Sequence, residues 1–104
     1  MSLVNIQSGI GSKEALAAFL FANITSNATT VIKDSAGMLY GITINKAGTS
    51  STATVFDGTT GSGVKLGVLD TTVVGTVGYS TWMRTSITTV TSGSSAADIT
   101  VIYV

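Results

Sequence analysis

Cysteine, histidine and proline are all missing from the 104 residues, and each absence closes off a class of proteins. Without cysteine there is no disulfide framework and no thiolate nucleophile. Without histidine as well, Ser-His-Asp and Cys-His catalysis and the common zinc sites are excluded. Without proline, no edge strand is blunted by the commonest device against unwanted pairing. Charge is scarce too: 10% of residues are ionic, against about 25% in ordinary soluble domains. Five basic residues are set against five acidic ones for a net charge of zero. They are scattered, and no patch of them could neutralise several phosphates, so nucleic acid leaves no electrostatic footprint here. The longest apolar run, residues 15–22, falls far short of the ~20 residues needed to cross a bilayer. No basic segment followed by an apolar run and a cleavage site opens the sequence, so no secretory leader is expected.

What is present is serine and threonine, roughly three residues in ten, in a pattern of strands. Gly37 to Leu69 is the clearest stretch. Met38, Tyr40, Ile42 and Ile44 fall on one parity and Leu39, Gly41, Thr43 and Asn45 on the other, the period of a strand with one face in a core. Turn residues follow at 46–51, and Ala53 and Val55 then oppose Thr52, Thr54 and Phe56. A second turn at 57–63 leads into Val64 to Val68, so the stretch predicts a three-stranded meander. Strands are further predicted over 28–32, 73–82, 85–91 and 98–104. Gly75 and Gly78 mark a bulge or a close backbone approach. In the last strand Ile99, Val101 and Tyr103 point inward, or Ile102 and Val104 in the shifted register. Upstream, Ser12 and Glu14 suit a helix start, and Leu16, Phe19 and Leu20 share a helical face. Phe19 to Thr25 reads equally well as a strand.

Seven or eight strands at intervals of ~8–12 residues predict an all-β domain, a two-sheet β-sandwich. Its topology is jelly-roll-like or immunoglobulin-like, with an N-terminal arm and room for one short helix. The expected division is an arm over residues 1–27 and a sandwich over 28–104. One core is all that this length allows.

No catalytic, cofactor-binding or metal-ligating set is visible. The five carboxylates are far apart in sequence, and Asp34, Asp57 and Asp70 fall at turns where aspartate caps backbone N–H groups. The segment 58–65 imitates a phosphate loop, but Val64 separates the last glycine from Lys65 and a strand follows. It is a hairpin turn. Gly9-Ile10-Gly11 hints at a dinucleotide fingerprint, yet Glu14 stands where the third glycine belongs. Tyr40, Tyr79, Trp82 and Tyr103 make either a sugar-stacking platform or core and interface anchors.

The strings YGITINKAGTSSTATVFDG (residues 40–58) and AADITVIY (96–103) resemble small virion proteins of tailed bacteriophages, a likeness that spans about three quarters of the chain. The resemblance implies a β-sandwich module used as a head decoration, or cement, protein or else as a tail component. It fits the scarcity of charge, which leaves little to oppose self-association. The expectation is therefore a non-enzymatic subunit on the outer surface of the phage head. It would bind the major capsid protein and itself, as a homotrimer first and a dimer next, with no nucleic acid, membrane or cofactor. The expected contact residues are Leu3, Val4, Ile6, Leu16, Phe19, Leu20 and Phe21. The alternative is a tail-fibre, spike or receptor-binding module contacting host glycans.

Overall fold

A computed structural model describes residues 19–104. Eight strands follow in order: β1 (Leu20–Ile24), β2 (Thr29–Lys33), β3 (Gly37–Lys46), β4 (Thr52–Asp57), β5 (Val64–Asp70), β6 (Gly75–Met83), β7 (Ile87–Ser92) and β8 (Asp98–Tyr103). They form two antiparallel four-stranded sheets, sheet A in the order β1-β8-β3-β6 and sheet B in the order β2-β7-β4-β5. The pairing is nested: β4 with β5, β3 with β6, β2 with β7 and β1 with β8. A long hairpin rolled into two sheets is a jelly roll, and this order settles the choice against the immunoglobulin-like topology. Leu20–Ile24 is a strand of sheet A, so the strand reading of Phe19 to Thr25 holds for it and the helical one does not. The sandwich thereby takes in residues assigned to the arm. Residues 12–18 lie outside the described part.

The core is built from one face of each sheet. Ile24, Leu39, Ile42, Ile44, Met83, Ile99 and Val101 from sheet A meet Ala53, Val55 and Ile87 from sheet B. Each large side chain so removed from water stabilises the fold by about 1.5–3 kcal/mol. The inward set of β8 is Ile99 and Val101 with Tyr103 packed behind, the first of the two registers.

Two expectations for the central stretch need correction. The meander does not form. β4 and β5 pair as a hairpin, but β3 and β4 lie in different sheets. Ile42 and Ile44 thus face Ala53 and Val55 through the core. Short turn residues between two alternating strands fit a crossing between sheets as well as a hairpin. The parity of β3 also breaks. Leu39 is buried with Ile42 and Ile44, because the register slips between Leu39 and Gly41 against both neighbours. That irregularity turns Met38 and Tyr40 outward. On β6 the extra residue falls between Gly78 and Thr81, where Ser80 has a left-handed φ of 51°. The bulge foreseen there is real, but the close approach is at Gly41, where a Cβ would sit 2.9 Å from the Val77 carbonyl oxygen.

The two ends of the sandwich differ. At one end the loops 47–51, 71–74 and 93–97 are sewn together. Thr49 N–H donates to Ser95 O, Ser94 N–H to Thr49 O and Gly48 N–H to Thr71 O. Beneath them the buried Thr71 hydroxyl donates to Ser51 Oγ at 2.7 Å. The opposite end carries the start of β1, the end of β8 and the turns after β2, β4 and β6.

Three buried hydroxyls, those of Ser86, Thr88 and Thr89, have no hydrogen-bond partner among the described residues. Thr89 stands opposite Val55 on the core side of β7. A buried hydroxyl without a partner has lost its water and regained nothing. Thr89→Val keeps the shape and removes that cost. It is expected to add about 1 kcal/mol, raising the melting temperature by about 4–8 °C in a thermal melt.

Candidate functional site

The outer faces of the two sheets are treated differently by the chain. On sheet B the β4–β5 loop bends back until Gly61 lies against Val90. Phe56 and Thr88, paired on the face turned away from the core, are accordingly buried. Sheet A has no such roof among the described residues.

Alternation along sheet A divides its outer face into rows running across the strands. One row joins Phe21 of β1 to Ile102 of β8, then to Gly41 and Gly78. The next pairs Val104 with Met38 through two backbone hydrogen bonds, and Met38 with Trp82. Tyr40 projects from the irregularity between these rows, and the Phe19 ring meets it edge-on with centroids 4.8 Å apart. Phe21 is 68% exposed, Trp82 64% and Tyr40 46%. Three aromatics of 150–250 Å² each, a half to two-thirds uncovered, present on the order of 300–400 Å² of apolar surface. The side chains within these rows are uncharged. Among the described residues the Lys33 ammonium reaches the end of the second row, where it donates to Val104 O at 3.1 Å. An apolar area of this size is that of the largest patch on a typical monomer, and such patches are often functional.

The other half of the same face is polar and internally satisfied. Asn23 Nδ2 donates to Asp98 Oδ1 at 2.7 Å and to Ile99 O at 2.9 Å. Asn45 Nδ2 donates to Asp98 Oδ1 at 3.2 Å and to Thr100 Oγ1 at 2.9 Å. Thr43 and Thr76 share a hydrogen bond at 3.1 Å. The amides of Asn23 and Asn45, with Lys46 nearby, hold the Asp98 carboxyl below the usual aspartate range. This half has little left to offer a ligand.

Beside the apolar rows, a groove of about 170 Å³ opens between the edges of β5 and β6, with Val64, Leu66, Trp82 and Met83 in its walls. Asp57 borders it, and its carboxylate is occupied. Oδ2 accepts the Arg84 N–H at 2.8 Å, while Oδ1 accepts those of Thr85 at 2.8 Å and Ser86 at 3.3 Å. Those backbone donors, first Arg84 and then Thr85, lower its pKa. Asp70 is lowered likewise by the hydroxyl and N–H of Thr72. Both behave as turn caps, though Asp57 caps a turn distant in sequence. Among the described residues no group of three or more acidic side chains is placed to hold a metal ion.

No family model, curated protein or solved structure matches this chain. The assignment of a role therefore rests on the surface itself.

Of the contact residues expected from sequence, Phe21 is fully on the apolar face and Phe19 packs on Tyr40 within it. Leu20 points to the inner side, yet it is half exposed because β1 is an edge strand. Leu3, Val4, Ile6 and Leu16 lie outside the described residues. The four aromatics grouped as one platform separate. Tyr79 and Tyr103 pack against the core, and burial raises the pKa of the Tyr79 phenol, while Tyr40 and Trp82 face outward. Met38, Ile102 and Val104 join the outer face, and strict alternation through Tyr40 hides the first of them.

Proposed function

We propose that this protein is a non-enzymatic decoration subunit of a bacteriophage head, lying on the outer shell and bridging neighbouring major capsid proteins. The observation that carries the reading is the uncharged aromatic half of the outer face of sheet A. No described residue covers it, and the chain has little charge to keep it apart from others. The jelly roll adds support by analogy, since that fold recurs in viral capsid domains, and fold alone does not assign function. Burial of this face against the shell stabilises by ~25 cal/mol per Å², a modest gain per copy that is multiplied over a shell. Internal pressure then has to break these contacts before subunits separate.

The test is to add purified protein to expanded shells that lack it and to measure binding and heat resistance. The expected result is binding together with a raised disruption temperature. Phe21→Ser and Trp82→Ser, on an exposed face, are each expected to weaken shell binding about tenfold while leaving the protein's own melting unchanged. Absence of binding by the parent protein contradicts the proposal. A second reading, a tail-fibre, spike or receptor-binding module for host glycans, draws on the outward Tyr40 and Trp82, since exposed rings stack on sugars. Glycan-array binding by the isolated protein, with only a handful of copies per virion, would favour it over the head.

A further inference from the structure

A sheet edge is an unfinished hydrogen-bond ladder, and natural proteins protect such edges with charge, bulges or twist. Three of the four edges here are protected. β2 ends in Lys33 and its register slips between Val31 and Lys33. β5 carries Lys65 and Asp70 and pairs irregularly opposite Val55 and Phe56. β6 contains the left-handed Ser80 and the slip opposite Leu39 and Gly41. Among the described residues, β1 has none of these devices. Its sequence LFANI is uncharged, and its five residues pair with β8 from Leu20↔Tyr103 to Ile24↔Ile99 without interruption.

We infer that β1 is the homodimerisation edge, and that two copies pair β1 to β1 antiparallel about a two-fold axis through Ala22. A second copy fits this edge by parity. Leu20, Ala22 and Ile24 line the inner side of β1, and Phe21 and Asn23 the outer side. Antiparallel pairing centred on Ala22 sets Leu20 against Ile24 of the second copy, Phe21 against Asn23 and Ala22 against Ala22. Inner side chains thereby meet inner ones, as a buried face demands. The same pairing covers Leu20, whose 50% exposure is unusual for a core-side leucine, and joins two four-stranded sheets into one of eight. A closed isologous contact of this kind uses up the edge and stops at two copies. It selects the dimer over the trimer expected from sequence, and it holds wherever the protein works.

The absence of cysteine makes the register directly readable. Paired Ala22 Cα atoms would lie about 4.5–5.5 Å apart, within the span of a disulfide. In full-length protein, Ala22→Cys is expected to form a covalent dimer on mild oxidation. Phe21→Cys, whose two copies would be diagonal neighbours with Cα atoms about 7–8 Å apart, beyond the usual disulfide span, is not. Sedimentation of the parent chain should show a monomer–dimer equilibrium. Leu20→Lys should weaken it at least tenfold, with the far-UV circular dichroism of the protein unchanged. A parent chain that stays monomeric to millimolar concentration overturns the inference, as does a trimer. So does a dimer that survives Leu20→Lys and is not captured through Ala22→Cys.

Discussion

Replacing Gly93 with alanine is expected to remove about 3 kcal/mol or more of folding stability. Gly93 follows β7 with a φ of 150°, a conformation L side chains rarely adopt. Space fails there as well. A Cβ at this position would fall 2.6 Å from Ser51 Cα and 2.8 Å from Ser51 Cβ. Neither neighbour can withdraw cheaply. Ser51 accepts the Thr71 N–H and Thr71 hydroxyl, and the adjoining Ser94 and Ser95 are bonded to Thr49. One added carbon therefore strains three loops at once, on top of the backbone penalty. Urea unfolding should show a lowered midpoint with an unchanged slope. A loss below 1 kcal/mol would mean that these loops are far softer than their hydrogen bonds indicate.

The second large effect concerns Asp57. Its carboxylate ties the end of β4 to the turn between β6 and β7 by accepting three backbone N–H groups. Hydrogen bonds to a charged acceptor contribute about 1.5–3 kcal/mol each when well shielded. This group lies near the surface, where water competes, so the three do not sum. Asp57→Ala is expected to cost about 2–3 kcal/mol in total, or roughly 10 °C or more in melting temperature. The loss has a pH signature. Because the folded-state pKa lies below the unfolded value, the contribution is complete above the unfolded carboxyl's pKa of about 3.9 and fades as pH falls through the folded pKa. The difference between parent and variant should be flat from neutral pH to about pH 5 and shrink below about pH 4. Subtracting the variant removes the parallel acid losses from Asp70 and Asp98. A difference that grows on acidification would contradict the assignment.

How far these features were legible in the sequence follows from the range of the forces behind them. Alternation is local, so the strands after residue 27 are predicted within a few residues, and Asp57-Gly58 and Gly61-Ser62-Gly63 mark their hairpin correctly. Sheet membership is not local. Whether β3 turns onto β4 beside it or across the core depends on partners far away, at Met83 and Val101. The parity of β3 failed for a related reason. Its slip at Tyr40 is set by β6 and β8, neither of which marks the sequence near Tyr40. The apolar outer face of sheet A suffers the same limit. Phe19, Leu20 and Phe21 stand out as a cluster, but Met38, Tyr40, Ile102 and Trp82 join them only after four strands are aligned.

The nested pairing also governs how the chain is made. β1 leaves the ribosome early, but its partner in the sheet is β8, and Asn23 binds Asp98 across 75 residues. At translation rates of 5–20 residues per second, that interval is about 4–15 s. Throughout it, the strand that LFANI joins among the described residues has yet to be made. The same unguarded edge that suits a second copy after folding is thus exposed to neighbouring nascent chains beforehand. Crowded synthesis should convert some molecules into mispaired aggregates, and slower or more dilute expression should recover them.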